Sequence, residues 1–156
     1  MRFVKRQFHV GIGLLHQKIC GFMSEIVNEE GDMKITGISV YKTGLPYVGG
    51  TYVWGAGNAI STAMATVVVI DTDTGLQGCG EFTPCGENYM IAHSEGVEAA
   101  ARLLAPKLLG QDPRQVYYLE RLIDHTIQGH GYAKAPFDSA FWDILGQSSG
   151  QPVWML

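Results

Sequence analysis

The chain has 156 residues, 46% of them hydrophobic, and a formal net charge of −4. That length suits one domain with a sizeable core, since such a chain buries roughly 70% of its unfolded surface. The mildly acidic balance, with no Lys/Arg cluster after Met33, excludes an electrostatic grip on nucleic acid, and no apolar run approaches the roughly 18 residues of a membrane span.

Residues 1–32 differ from the rest. Arg2, Lys5 and Arg6 precede a short apolar patch, Val10 to Leu15, which begins like a signal peptide and is cut off by His16, Gln17 and Lys18. Further on, the run "NEEGDMKI" requires purine-rich codons ahead of Met33, as a bacterial ribosome-binding site does. Met33 is therefore expected to be the true start, and residues 1–32 an extension without a docking element.

From Met33 the pattern becomes regular. "KITGISVY" predicts a strand ending at the breaker "KTGLP", and "MATVVVIDT" a β-branched strand closed by the turn "DTDTG". "GLQGCGEF" then completes a hairpin in which Gly75 supplies a positive φ. In "SEGVEAAARLLAPKLLG" the residues Val97, Ala100, Ala101, Leu104 and Leu108 recur at helical spacing, with Ser94 as N-cap and Pro106 as a break or kink. "DPRQ" predicts a second helix capped by Asp112, with Pro113 in its first position, opening a stripe of Val116, Leu119, Ile123 and Ile127. A third helix carries Phe137, Ala140, Phe141, Ile144 and Leu145 on one face and stops near Gly150 and Pro152. The fold class is thus α+β: a three-stranded antiparallel sheet followed by a helical bundle.

Little of this carries catalytic chemistry. "GAGNAIS" lacks the third glycine and the preceding strand of a dinucleotide fingerprint and is expected to be a mobile loop. Asp71 and Asp73 sit in a turn that lacks the remaining ligands of a calcium loop. His125 and His130 have no Cys, Asp or Glu set at matching spacing, and Asp138 and Asp143, five apart, fall on different helix faces. Cys20, Cys79 and Cys85 are odd in number and without CxxC spacing, which fits reduced thiols packed as small hydrophobes and a cytoplasmic location. No catalytic residue and no metal ligand is assigned.

Two loops stand out. "YVGGTYVWGAGN" joins glycine to Tyr47, Tyr52 and Trp54, large aromatics that surface loops rarely carry, and this combination points to a lid. "EFTPCGENY" leaves the third strand with Glu81, Pro84, Glu87 and Tyr89.

"MKITGISVYKTGLPY", "VVVIDTDTGLQGCGEFTP" and "YAKAPFDSAFWDILGQSSGQPVWML" together resemble the N-terminal capping domain of the enolase superfamily, mandelate racemase and muconate lactonizing enzyme branch. The resemblance runs from Met33 to Leu156. Within the branch, "GHGYAKAP", "TPCG" and the stretch from Trp54 to Asn58 are most similar to enzymes acting on proline derivatives, cis-3-hydroxy-L-proline dehydratases first and hydroxyproline-betaine epimerases second. The resemblance implies a capping domain over residues 33–147 and, over 148–156, the lead-in to a (β/α) barrel. It implies Mg²⁺, a small-molecule carboxylate substrate and a barrel-borne Lys or His base that removes the proton α to the carboxylate. It further implies homo-oligomeric full-length relatives. The barrel's bases and metal ligands have no counterpart here, and Lys134 belongs to the capping region. What carries over is substrate shaping: Tyr47, Tyr52, Trp54 and Asn58 would fold over the barrel mouth, while Thr83, Pro84 and Tyr89 would line its rim. The opposing reading is a non-catalytic fragment.

Overall fold

The computed structural model describes residues 4–7, 31–86 and 88–156. Its strands are β1 (Val4–Gln7), β2 (Ile35–Pro46), β3 (Tyr52–Trp54), β4 (Asn58–Ile60), β5 (Thr62–Thr72) and β6 (Gln77–Phe82); its helices are α1 (Ser94–Leu108), α2 (Val116–Thr126) and α3 (Gly131–Ser149). The sheet runs β1-β2-β5-β6 with every neighbour antiparallel. The three strands expected from the sequence are its consecutive members β2, β5 and β6, and β1 adds a further strand beside β2. Apart from β1 and its last two residues, the segment 1–32 lies outside the described residues.

Alternation places one face of the sheet in the core. Along β5, Thr66, Val68, Ile70 and Thr72 are buried, two residues apart as a pleated strand requires. Val68 and Ile70 meet Val97, Ala101, Leu104 and Leu108 of α1 and Phe137, Phe141 and Ile144 of α3 in a single cluster that also takes in Met33. At the β5–β6 turn Gly75 has φ +85°, and Asp73 Oδ1 accepts from the Lys34 backbone N–H at 2.8 Å.

The sequence "QGCG" has a packing explanation. A Cβ on Gly78 would stand 2.2 Å from the Ala140 carbonyl oxygen, and one on Gly80 1.8 Å from that of Pro136. Backbone therefore lies directly on backbone where α3 crosses β6. The helix also serves the free edge of β6: Asp143 Oδ2 accepts from the Cys79 N–H at 2.8 Å, and Gln147 Nε2 donates to the Gln77 carbonyl at 2.8 Å. Unpaired strand groups that would otherwise invite another chain are thereby occupied.

Four boundaries differ from expectation. β2 continues through "KTGLP", because its register with β5 runs unbroken from Gly37↔Asp71 to Pro46↔Thr62. Pro46 is the last residue of the strand, beyond the stretch Ser39–Lys42 that pairs with β1, so its missing N–H removes no interior ladder bond. Helix α1 likewise continues past Pro106, which removes one bond in the final turn only. His93, not Ser94, holds the N-cap position of α1; Ser94 is buried, its carbonyl accepting from Thr66 Oγ1 at 3.1 Å. Helix α2 begins at Val116, four residues after the expected cap, since Asp112 caps a turn of its own. Its carboxylate accepts the Arg114 backbone N–H at 2.9 Å and the Arg114 guanidinium at 2.7 Å, and its carbonyl accepts the Gln115 N–H at 3.2 Å.

Candidate functional site: an aromatic cluster at the sheet end

Antiparallel pairing brings the two loops to the same end of the sheet. Residues 47–61 leave β2 at Pro46 and enter β5 at Thr62, while residues 83–93 leave β6 at Phe82, which faces Thr66 near the start of β5.

The first loop is built as a ribbon, not the mobile loop expected of it. Tyr52 pairs with Ile60, Val53 with Ala59 and Trp54 with Asn58, around a tight turn at Gly55–Gly57. Ala56 (φ +62°) and Gly57 (φ +75°) are both left-handed there, and Asn58 Nδ2 closes the turn by donating to the Gly55 carbonyl at 2.7 Å. A strand thus precedes "GAG" after all, but a second strand follows it where a dinucleotide fingerprint needs a helix.

Alternation along the ribbon places its aromatics in register. Tyr47 stacks on Tyr52 with ring centroids 6.0 Å apart, Tyr52 on Trp54 at 5.9 Å, and Trp54 meets Tyr89 of the second loop edge-on at 5.7 Å. Such offset and edge-to-face arrangements are those that ring quadrupoles favour. Between residues 47 and 61 the only ionisable side chains are these two tyrosines. Tyr47 is held above the ordinary tyrosine range, chiefly by its contact with Cys85; Tyr52 is raised chiefly by the neighbouring Tyr89 phenol. Both are neutral phenols at physiological pH, so the ribbon offers rings and amides and no base.

Of the residues singled out in the sequence, Tyr47, Tyr52, Trp54, Asn58 and Tyr89 are brought together. Thr83 and Pro84 lie at the foot of the second loop: the Thr83 hydroxyl donates to the Glu81 carboxylate, and Pro84 is buried. Three further members were not singled out for the site, Cys85 being expected only as a packed thiol. Cys85 Sγ lies 3.6 Å from the Tyr47 hydroxyl, Asn88 Nδ2 donates to Asn58 Oδ1 at 2.5 Å, and Gly86 lies against the Trp54 indole. Their only signal in the sequence is position, within a short polar loop after a strand.

Several of the other ionisable groups have structural partners. Lys134 is nearly buried and donates to Asp124 at 2.7 Å. Asp71 accepts from Gln77 at 2.6 Å. Glu120 is raised, first by burial and then by Asp138, whose Oδ1 is buried without a hydrogen-bond partner. His125 lies on α2 beside Tyr118 and Arg121, while His130, with φ +52°, packs against Tyr132 ahead of α3. Among the described residues, no group of three or more His, Cys, Asp or Glu side chains converges as a metal site, so magnesium has no fitted donor set in this part of the chain. Nor, among them, is any helix long and apolar enough to cross a membrane.

A small antiparallel sheet backed by three helices, with aromatic loops gathered at one end and no converging metal ligands among the described residues, is the architecture of an enolase-type N-terminal capping domain. The chain belongs to the mandelate racemase/muconate lactonizing enzyme, N-terminal domain family, whose model matches residues 53–156. It is 44% identical over 124 residues to the cis-3-hydroxy-L-proline dehydratase of Roseibium aggregatum, covering 80% of this chain and 34% of that one. A crystal structure of a mandelate racemase/muconate lactonizing enzyme from Roseovarius nubinhibens ISM shares 78% identity and a TM-score of 0.77, covering 79% of this chain and 33% of its own. Another enzyme of the same family and organism, solved in complex with magnesium, shares 46% identity and a TM-score of 0.74, over 77% of this chain and 32% of that one. The chain therefore spans about a third of the length of these relatives.

Proposed function

We propose that residues 33–147 act as the substrate-specificity cap of a magnesium-dependent enzyme that removes the proton α to a carboxylate, and that its substrate is cis-3-hydroxy-L-proline. In that reaction a base takes the proton from Cα, the electron pair of the broken Cα–H bond forms the Cα–Cβ double bond, and the β-hydroxyl, protonated by an acid, leaves as water. Magnesium would stabilise the enediolate formed on the way. No residue described here is placed to hold that ion or to take the proton, so both tasks belong to the barrel that the resemblance implies.

The cap's own contribution is enclosure. The observation that carries this reading is the convergence of Tyr47, Tyr52, Trp54 and Tyr89 at one end of the sheet, although Tyr52 and Tyr89 remain 43% and 52% exposed. Large rings left half-open on a well-paired ribbon are suited to cover a ligand. Covering it excludes water, which strengthens the electrostatic interactions that hold a developing anion. The absence of charge between residues 47 and 61 leaves the carboxylate to be bound elsewhere and makes the ribbon a wall for the apolar part of a small ring. The identity to a cis-3-hydroxy-L-proline dehydratase supports the choice of substrate.

A graft tests this. Residues 33–156 would replace the matching segment of the Roseibium aggregatum dehydratase, and the product would be assayed on cis-3-hydroxy-L-proline and on hydroxyproline betaine. Retained dehydration is expected, with Trp54→Ala raising KM about tenfold or more through the loss of one enclosing ring. A folded graft that exchanges the α-proton of the betaine and leaves cis-3-hydroxy-L-proline intact would transfer the reading to an epimerase. A folded graft inert on both would overturn it.

A further inference from the structure

The contacts between the two loops are more numerous and more ordered than two independent flaps require. Cys85, Gly86, Asn88 and Tyr89 each meet the first loop, at Tyr47, Trp54, Asn58 and Trp54 respectively. We infer that the loops form one mechanically coupled body, and that Asn88 is the positioning residue that couples them. That the body acts as a lid rests on the function proposed above; the coupling itself stands on contacts within this chain.

Three observations carry the inference. First, both ends of the Asn58 amide are engaged: its nitrogen holds its own turn at the Gly55 carbonyl (2.7 Å), and its oxygen receives Asn88 (2.5 Å). The second loop is thereby joined to the residue that closes the ribbon's turn. Second, the backbone of the second loop is shaped to the indole. Gly86 has φ +96°, and a Cβ there would lie 3.4 Å from Trp54 Cη2 and 3.4 Å from Asn88 Oδ1. Glycine at this position therefore permits a strained turn and admits the ring in one step. Third, beyond that Asn88–Asn58 hydrogen bond the stack extends the connection: Tyr89 meets Trp54, Trp54 stacks on Tyr52, and Tyr52 on Tyr47, which returns to Cys85. The contacts close a ring of residues, so displacing either loop alone breaks several of them at once. A ligand that orders one loop must then order the other, since coupling between two sites is reciprocal.

Hydrogen exchange on the full 156-residue chain tests this without any substrate, so its failure is separable from failure of the dehydratase reading. The quantity read is the exchange rate of the Tyr52–Trp54 and Asn58–Ile60 amides divided by that of Val68 in the buried centre of β5. Because Val68 reports opening of the whole sheet, a general loss of stability raises its exchange and cannot by itself raise the ratio. In Asn88→Ala the ratio is expected to rise about fivefold, the effect of one hydrogen bond. Met90→Ala, an exposed side chain of the same loop, is expected to leave it unchanged. A residue that only shapes its own loop would alter exchange at 85–91 and not in the ribbon. A ratio within twofold of the parent in Asn88→Ala, or an equal rise in Met90→Ala, overturns the coupling.

Discussion

At the scale of single residues, the domain depends on positions where a side chain is missing. Gly78 and Gly80 let α3 rest on the backbone of β6, and the nearest atoms to an added Cβ are main-chain carbonyls, which cannot rotate away. Gly80→Ala is expected to destabilise the fold by about 3 kcal/mol, the upper range for overpacking. Gly49, with nothing within 4 Å of an added Cβ, is the internal control, and Gly49→Ala is expected to change stability by less than about 0.5 kcal/mol. Urea unfolding of both variants checks this; equal midpoints would mean that α3 can move off β6 at little cost. None of this was legible beforehand. "QGCG" reads locally as a flexible hairpin strand, and the helix that explains it lies some sixty residues further on, as the separation of Cys79 from Asp143 shows. Asn88 escaped notice for the same reason, its partner Asn58 being thirty residues away.

At the scale of elements, periodicity carried the argument and local stop signals misled it. The stripes of α1 and α3 are buried nearly as spaced, with Val97, Leu104, Phe137, Phe141 and Ile144 fully covered, because a 3.6-residue repeat of apolar side chains has only one way to meet a sheet. "KTGLP" and Pro106 failed as breakers since tertiary pairing and a position near a helix end make a proline tolerable. The β3–β4 ribbon was hidden by its glycines, although they mark the turn of a hairpin and not a structureless loop. Docking of elements also shows in charge. Glu95 in the first turn of α1 receives Lys42 of β2 at 2.9 Å, and this hydrogen bond, foremost among the causes, lowers its carboxyl to about 2. A carboxyl depressed in the folded state adds stability above its unfolded value, and that stability is lost as pH falls towards about 2. With Glu95 63% exposed, solvent screening holds the contribution to about 0.2–1 kcal/mol. Lys42→Met is therefore expected to lower stability by that amount at pH 7 and to make much less difference at pH 2. Unfolding curves at the two pH values decide it, and an equal loss at both would assign the effect to packing of the lysine stem.

At the scale of the whole molecule, one end presents the aromatic body and α3 leads to a second apolar surface. After the left-handed Gly150, the chain turns through Val153–Met155, held by a bond from the Gln151 N–H to the Gly146 carbonyl at 3.0 Å. There Val153, Trp154, Met155 and Leu156 are all exposed, Trp154 by 83%. Four consecutive apolar side chains in water form a surface suited to burial against another molecule. Taken alone, the 156-residue chain is expected to associate with itself through this patch. Sedimentation across a hundredfold range of concentration should show mass rising with concentration. Trp154→Lys combined with Met155→Lys should restore the monomer, with the unfolding midpoint moved by no more than about 0.5 kcal/mol, because neither side chain belongs to the core. The double variant separates two causes of association. Were the lysines to leave the mass unchanged, association would have to come from the aromatic cluster or from the outer edge of the sheet at β1. Were the parent chain monomeric throughout and sharply melting, the exposed tryptophan would be a tolerated surface feature, and the domain would be self-sufficient without a partner on that face.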